Sequence, residues 1–286
     1  MSTEKTLIAL VDGSAYSESV CHHTAWAAGR MGAGVKLYHV LGRRDAPDRQ
    51  DLSGAIRLGA RSRLLQELAE LDEQRAKLTH AHGRAILEDA AEIVTAAGVE
   101  RVETRLRQGD IVDTVTAKEE TGEMIIVGKR GEAADFAKLH LGSNVERIVR
   151  ASHKPVLVTS RAFKPVNKVL VAFDGGATSM KALDYVARDP LFAGLSITVV
   201  KVGPENDQTT KALNDAAALL RAGGHQVDTR LVSGQAEEAL SEVIEKDGFD
   251  MLVMGAYGHS RVRTLIIGST TSEMIRTCKV PVVLIR

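Results

Sequence analysis

The chain repeats itself, and that repeat restricts its fold more than any other feature. Thr6-Leu-Ile-Ala-Leu-Val-Asp12-Gly13-Ser14 returns 162 residues later as Lys168-Val-Leu-Val-Ala-Phe-Asp174-Gly175-Gly176. Met124-Ile-Ile-Val-Gly128-Lys-Arg-Gly131 returns after 127 residues as Met251-Leu-Val-Met-Gly255-Ala-Tyr-Gly258. Lys154-Pro155-Val-Leu-Val has its counterpart in Val280-Pro281-Val-Val-Leu. Each unit is a short apolar run closed by a turn residue, the pattern of a buried parallel strand. Two supersecondary copies of one kind, in a length that fits about two domains, define the organisation. We read a first domain over 1–160 and a second over 168–286. The linker, 161–167, is too short to hold them apart, so the halves are expected to pack together. The first half carries 35 more residues between its first and fourth strands.

Strands and helices alternate in both halves. The apolar runs predict strands near 6–12, 35–41, 100–107, 123–128 and 155–159, then 168–174, 195–202, 226–232, 250–255 and 280–285. Helical patterns fall near 15–31, 55–97, 110–121 and 143–152, then 178–189, 207–222, 235–247 and 269–277. Such alternation implies right-handed crossovers and an α/β fold of two tandem doubly wound five-stranded parallel sheets. If each sheet has the order 3-2-1-4-5, strands 1 and 4 flank the point where the order reverses. Ligands bind there, outside the carboxyl ends of the strands.

The long helical pattern at 55–97 spaces Leu64, Leu71 and Leu78 by seven, with Leu65 and Leu68 beside them. A core-packing helix is the favoured reading and a dimer surface the competing one, because fewer than four heptads do not define a coiled coil. Gly83 is expected to break or kink this helix.

Composition narrows the function. Hydrophobic residues make up 44% and charged residues 26%, enough for a packed core. Aromatics are only 3%, which argues against stacking platforms for single-stranded nucleic acid. Lysine plus arginine equals aspartate plus glutamate, at 37 each, so no net charge favours nucleic acid or an anionic membrane. No signal-like segment and no apolar run of about 18 residues is present. The two cysteines, Cys21 and Cys278, form no paired motif. A cytoplasmic protein with reduced thiols is the expectation.

The chemistry-bearing stretch runs from Met251 to Thr270. Gly255 closes an apolar run, Gly258 follows, and Gly268-Ser269 opens a helix with Ser269 as N-cap and Glu273 in its first turn. A glycine loop before a helix N-terminus can present backbone N–H groups to phosphate oxygens, helped by the helix dipole. The same glycines serve equally as turn punctuation. Asp174 could accept hydrogen bonds from a ribose, or could cap the following helix, and Asp12 has the same two readings. Arg261 could clamp phosphate, whereas Arg263 reads as a solvated side chain. His259 has no neighbouring carboxylate or nucleophile and is a poor catalytic candidate. Walker A, G-x-G-x-x-G, G-x-S-x-G, HExxH and zinc-spaced Cys/His patterns are all absent. Cys21-His22-His23 and His80-Ala-His82 are read as structural, since adjacent and i+2 residues diverge on a helix.

The spacing Gly255-x2-Gly258-x9-Gly268-Ser269, with Asp174 and the closing Lys279-Val-Pro281-Val-Val-Leu-Ile, resembles the nucleotide-binding signature of the universal stress protein family. The resemblance covers nearly the whole chain as two tandem domains. It implies the order 3-2-1-4-5 and an adenine nucleotide alpha hydrolase-like fold. It also implies a cytoplasmic stress-response protein that binds ATP in its second half and changes its partner interactions with occupancy. By position, Ala172 and Asp174 would meet adenine and ribose, Val202 adenine, and Met254 and Gly255 the ribose side. Gly258, Gly268, Ser269 and Thr270 would hold the phosphates. Mg²⁺ is admitted as a companion, with Ser269 the nominated hydroxyl. The first half departs from the signature. Gly142-Ser143 follows Gly131 after ten residues, and Glu132 and Asp135 lie in the loop, where carboxylates repel a polyphosphate. That half is expected to be degenerate. No base, arginine finger or Walker-type metal ligand is evident, so at most weak ATPase activity is expected. The alternatives are a hydrolysing or adenylyl-transferring enzyme using His259, and a scaffold or sensor for another small ligand. A homodimer is left open.

Overall fold

The apolar runs become strands. The computed structural model describes residues 5–42, 58–130, 143–256 and 268–286. In the first half these strands are β1 (Thr6–Leu10), β2 (Gly34–Leu41), β3 (Val102–Gln108), β4 (Met124–Gly128) and β5 (Val156–Thr159). In the second they are β6 (Lys168–Ala172), β7 (Ser196–Val202), β8 (Val227–Val232), β9 (Met251–Gly255) and β10 (Val282–Ile285). Helices α1 (Ser17–Met31), α2 (Leu58–Ala96), α3 (Ile111–Thr116) and α4 (Ser143–Ala151) connect the first set. Helices α5 (Ala177–Arg188), α6 (Asp207–Ala222), α7 (Ala236–Asp247) and α8 (Ser269–Thr277) connect the second.

Each half has the expected order, β3-β2-β1-β4-β5 and β8-β7-β6-β9-β10, with parallel pairing throughout. The halves do not form separate sheets, however. β5 and β10 pair antiparallel, with Val282 opposite Val158, Val283 opposite Leu157 and Leu284 opposite Val156, giving one ten-stranded sheet. The reason is shared surface chemistry: both strands are wholly buried, apolar except for Thr159 at the end of β5, and would otherwise be unpaired edges. One consequence matters for function. Because the junction is antiparallel, the carboxyl ends of the two halves' strands lie on opposite edges of the sheet.

The outer strands β3 and β8 are tolerated as edges because they carry exposed charges, Glu103, Arg105 and Arg107 on one, Asp228 and Arg230 on the other. The central strands are buried on both faces. Leu7, Ala9, Val169, Val171, Met251 and Val253 face the layer containing α1, the C-terminal part of α2, α5 and α6. Ile8, Leu10, Leu170, Leu252 and Met254 face the layer of α4, α7 and α8. Each fully buried aliphatic side chain of this kind contributes about 1.5–3 kcal/mol. Both clusters run across the seam between the halves. Polar contacts tie it further. Arg30 of α1 donates to the carbonyls of Leu191 (2.6 Å) and Ala193, Lys129 to that of Cys278 (2.8 Å), and Arg286 to that of Arg150 (3.1 Å).

Two expectations about the long helix need correction. Gly83 does not break it: α2 is continuous over 39 residues. A Cβ on Gly83 would lie 2.8 Å from Leu106 and 2.9 Å from His39, so glycine is there to let the helix approach the sheet closely. Leu71 and Leu78 are not core residues; they are 61% and 71% exposed. Only beyond Gly83 do Ile86, Leu87, Ala90 and Val94 bury a helical stripe. Near 110–121 the expected helix ends early, at Thr116, and a separate 3-10 turn spans Glu119–Thr121. Among the described residues no helix is long and apolar enough to cross a membrane.

Candidate functional site

The turn after β6 is built by its own side chains. The Asp174 carboxylate accepts from the N–H of Gly176 (2.7 Å) and the hydroxyl of Ser179 (2.6 Å) in the first turn of α5. Gly175 occupies φ +88°, a region natural to glycine. The first half repeats the device: Asp12 accepts from Ser14 N–H (3.0 Å) and Ser17 Oγ (3.1 Å), and Gly13 has φ +77°. Neither aspartate is the N-cap of its helix, the expected capping role; the N-caps are Tyr16 of α1 and Gly176 of α5, the latter two positions on from Asp174, and each aspartate closes the turn before the helix instead.

β6 and β9 are neighbours, so the Asp174 turn and the end of β9 come together at one edge of the sheet. Gly255 packs directly beneath α5. A Cβ there would lie 2.5 Å from Thr178 Oγ and 3.0 Å from the Ser179 nitrogen. α8 then begins over the same edge: Thr271 Oγ donates to the Gly255 carbonyl (3.3 Å), and Gly268 N–H to that of Ala256 (3.5 Å). Gly268, not Ser269, is the N-cap of α8, and as a glycine it offers no capping side chain of its own. Its first-turn N–H groups have no acceptor within the helix.

The predicted site residues divide as follows. Ala172, Val202 and Met254 all belong to the face covered by α7 and α8. Ala172 and Val202 are half-buried, while Met254 is buried in the core, which leaves its backbone to the edge. Asp174 and Ser269 are exposed; Gly255, Gly268 and Thr270 are half-buried. The Thr270 hydroxyl is engaged, donating to Glu237 Oε1 of α7 at 2.8 Å. Gly258, His259, Arg261 and Arg263 lie outside the described residues, as do Gly131, Glu132, Asp135 and Gly142 of the first half.

Sequence reasoning missed Lys201. Its Nζ donates to the Asp174 carbonyl (2.7 Å) and lies 5.5 Å from the centre of the Phe173 ring, placing a cation beside the turn. The available signal was its place at the end of the strand next to strand 1. Glu237 and Thr178 were also missed, since each meets the site from a different helix.

The equivalent edge of the first half is filled by larger groups. Tyr16 takes the place of Thr178, and a Cβ on Gly128 would meet Tyr16 Cβ at 3.0 Å. Ile86 of α2 covers the turn, 2.8 Å from a Cβ placed on Gly13. His39, the counterpart of Lys201, is buried, with Nδ1 2.8 Å from the Val11 carbonyl. Lys129 is drawn across the seam, and burial lowers its pKa to about 8. Cys21 and Cys278 are free and buried; burial pushes the Cys21 thiol up to about 12. Among the described residues no three His, Cys, Asp or Glu side chains gather as a metal site.

The model of the universal stress protein family matches residues 4–160 and 203–286. The chain belongs to the universal stress protein family. A universal stress protein of Synechocystis is 37% identical over 286 residues, spanning 99% of this chain and all of that one. A second, from Mycolicibacterium smegmatis, is 23% identical over 309 residues, covering this chain fully and 98% of the relative. The crystal structure of a universal stress protein from Archaeoglobus fulgidus superposes with a TM-score of 0.70 at 23% identity, covering 98% of each chain. This universal stress protein therefore shares both length and fold with full-length relatives.

Proposed function

We propose that this stress protein binds one adenine nucleotide, ATP, at the carboxyl edge of its second half and acts as a nucleotide-dependent regulatory module. One observation carries the reading. The Asp174 turn, the glycine end of β9 and the N-terminus of α8 converge at the strand-order reversal, beside Ala172 and Val202. A carboxylate for ribose, small apolar side chains for a base and helix N–H groups for phosphate are the chemistry a nucleotide needs. Lys201 adds a cation beside the Asp174 turn. With the Thr270 hydroxyl given to Glu237, a phosphate would meet Thr270 through its backbone N–H. Ser269, exposed in the first turn of α8, is the hydroxyl available to an accompanying Mg²⁺.

On this reading 1–160 and 168–286 are two domains, and the first is the degenerate one. Tyr16 and buried His39 occupy its edge in place of Thr178 and Lys201, and Ile86 lies 2.8 Å from a Cβ placed on Gly13 where the counterpart Gly175 has only Lys201 Nζ, at 3.9 Å. The test is equilibrium dialysis with ATP, with and without Mg²⁺. The native chain and Gly142→Val should retain about one ATP per chain, and Gly268→Val should retain none while its unfolding midpoint holds. No retention at millimolar ATP, or loss only in Gly142→Val, overturns the assignment. Release of AMP and pyrophosphate that disappears in His259→Ala would make the protein an enzyme instead.

A further inference from the structure

The internal repeat places one segment of chain on α1 and none on its counterpart. α1 and α5 correspond residue for residue at an offset of 162, which the turns before them mark: Asp12 accepts from Ser17 Oγ and Asp174 from Ser179 Oγ. His22 and His23 therefore match Asp184 and Tyr185, and Ser19 matches Lys181. The bordering strands correspond too, so Ser160 after β5 matches Arg286 after β10, and Asn167 before β6 matches Lys5 before β1. In the first half the connection from Ser160 to Asn167 packs on α1. Ser19 Oγ donates to the Ser160 carbonyl (2.8 Å), and the Phe163 ring stands edge-on to His23 (4.9 Å) and stacked with His22 (6.1 Å). His23 is fully buried there.

The matching place on α5 is a groove of about 620 Å³ between Lys5 and Arg286. Its volume falls within the range of about 300–1,000 Å³ typical of ligand clefts. Among the described residues no segment takes the place of 161–166 there, and Tyr185, in the position of buried His23, is only half-buried. Met180 on the same wall is 42% exposed. A methionine beside a tyrosine ring is a surface suited to an aromatic side chain. Charge is what differs between the two beds. Lys181 stands for Ser19, Arg188 for Trp26, Arg286 for Ser160 and Lys5 for Asn167. Two acids enter as well, but Asp184 is held by Arg188 at 2.7 Å and Asp189 accepts from the Leu191 N–H at 2.9 Å. Four basic against two acidic side chains leave the groove cationic.

We infer that this groove docks a segment of a partner protein, laid on α5 as 160–167 lies on α1: extended, acidic, and carrying one aromatic side chain beside Tyr185. A chain segment is the occupant because the equivalent bed in the same molecule holds one. An aromatic is called for by Phe163 on His22 and His23, and acid by the cations that replace neutral residues. The connection itself, with Arg161 and Lys164, has the wrong sign for this bed. The inference is independent of whether the second half binds a nucleotide.

The experiment is fluorescence anisotropy of a labelled peptide titrated with the full chain up to about 1 mM. The probe has the sequence of residues 160–166 with Arg161→Glu and Lys164→Glu. It should bind with a Kd of about 0.1 mM or tighter, and more weakly in high salt. The same peptide with Phe163→Ala, and the peptide with its native Arg161 and Lys164, should each bind roughly tenfold more weakly or worse. In the protein, Lys5→Glu with Lys181→Glu should weaken the acidic peptide roughly tenfold while the unfolding midpoint holds. A chain lacking residues 2–4 should bind as the native chain does. No binding at the highest concentration overturns the inference. So does binding that is indifferent to the phenylalanine or to the two lysines, or binding that appears only once residues 2–4 are removed, which would make the protein's own N-terminus the occupant.

Discussion

Acid should destabilise this protein through one histidine. His23 of α1 is fully buried, with its ring edge-on to Phe163, centroids 4.9 Å apart. Its Nδ1 lies 2.7 Å from the Ser19 carbonyl, which can only accept, so the neutral ring carries its proton there. Nε2 is buried and has no hydrogen-bond partner, so a second proton would enter an apolar site. Burial accordingly lowers the pKa from 6.5 to about 4. Below pH 6.5 the unfolded chain takes up a proton that the folded chain refuses. The stability is therefore whole above the unfolded pKa and is lost as pH falls toward the folded one. Between pH 7.5 and 4.5 the linkage amounts to about 2.5 kcal/mol from this residue alone. Urea unfolding of the native chain and of His23→Leu at both pH values isolates it. Other acid-sensitive groups and the packing change cancel in the double difference. The native chain should lose about 2.5 kcal/mol more than the variant over this interval. Equal losses would refute the assignment of a buried neutral imidazole.

Gly255→Val should destabilise by about 1–3 kcal/mol in urea unfolding, because its Cβ would meet the Ser179 backbone at 3.0 Å. It should also abolish ATP retention, and an unchanged unfolding midpoint would show that α5 yields. Glu119→Gln should cost about 1–3 kcal/mol at neutral pH, since the carboxylate accepts from Ser152 Oγ and His153 N–H, both at 2.9 Å. Burial raises the Glu119 pKa, but these bonds and that of the His153 ring outweigh it and hold it below 4.5. Its contribution is present above that value and lost as pH falls below it, so the variant's stability should decline less steeply there. Parallel acid limbs would contradict this.

The sequence alone determined the halves and their strand–helix alternation, while the order of strands within each came from the family resemblance. Alternation follows from local periodicity, and Met251–Gly255, the Asp174 turn and the Ser269–Thr277 helix were legible for that reason. It also marked which half departs from the nucleotide signature. Tertiary structure alone decided that β5 and β10 join the halves antiparallel, so that their carboxyl edges face opposite ways. Edge pairing leaves no local trace, because a buried apolar tetrapeptide pairs as well with one neighbour as another. Lys201, Thr178 and Glu237 were hidden likewise, each brought to the site by a different element. The leucine spacing in α2 favoured a core helix, and Leu71 and Leu78 are exposed instead, since a heptad records only that one face is apolar. Where the sheet stops, and hence what that face meets, is set by the fold as a whole.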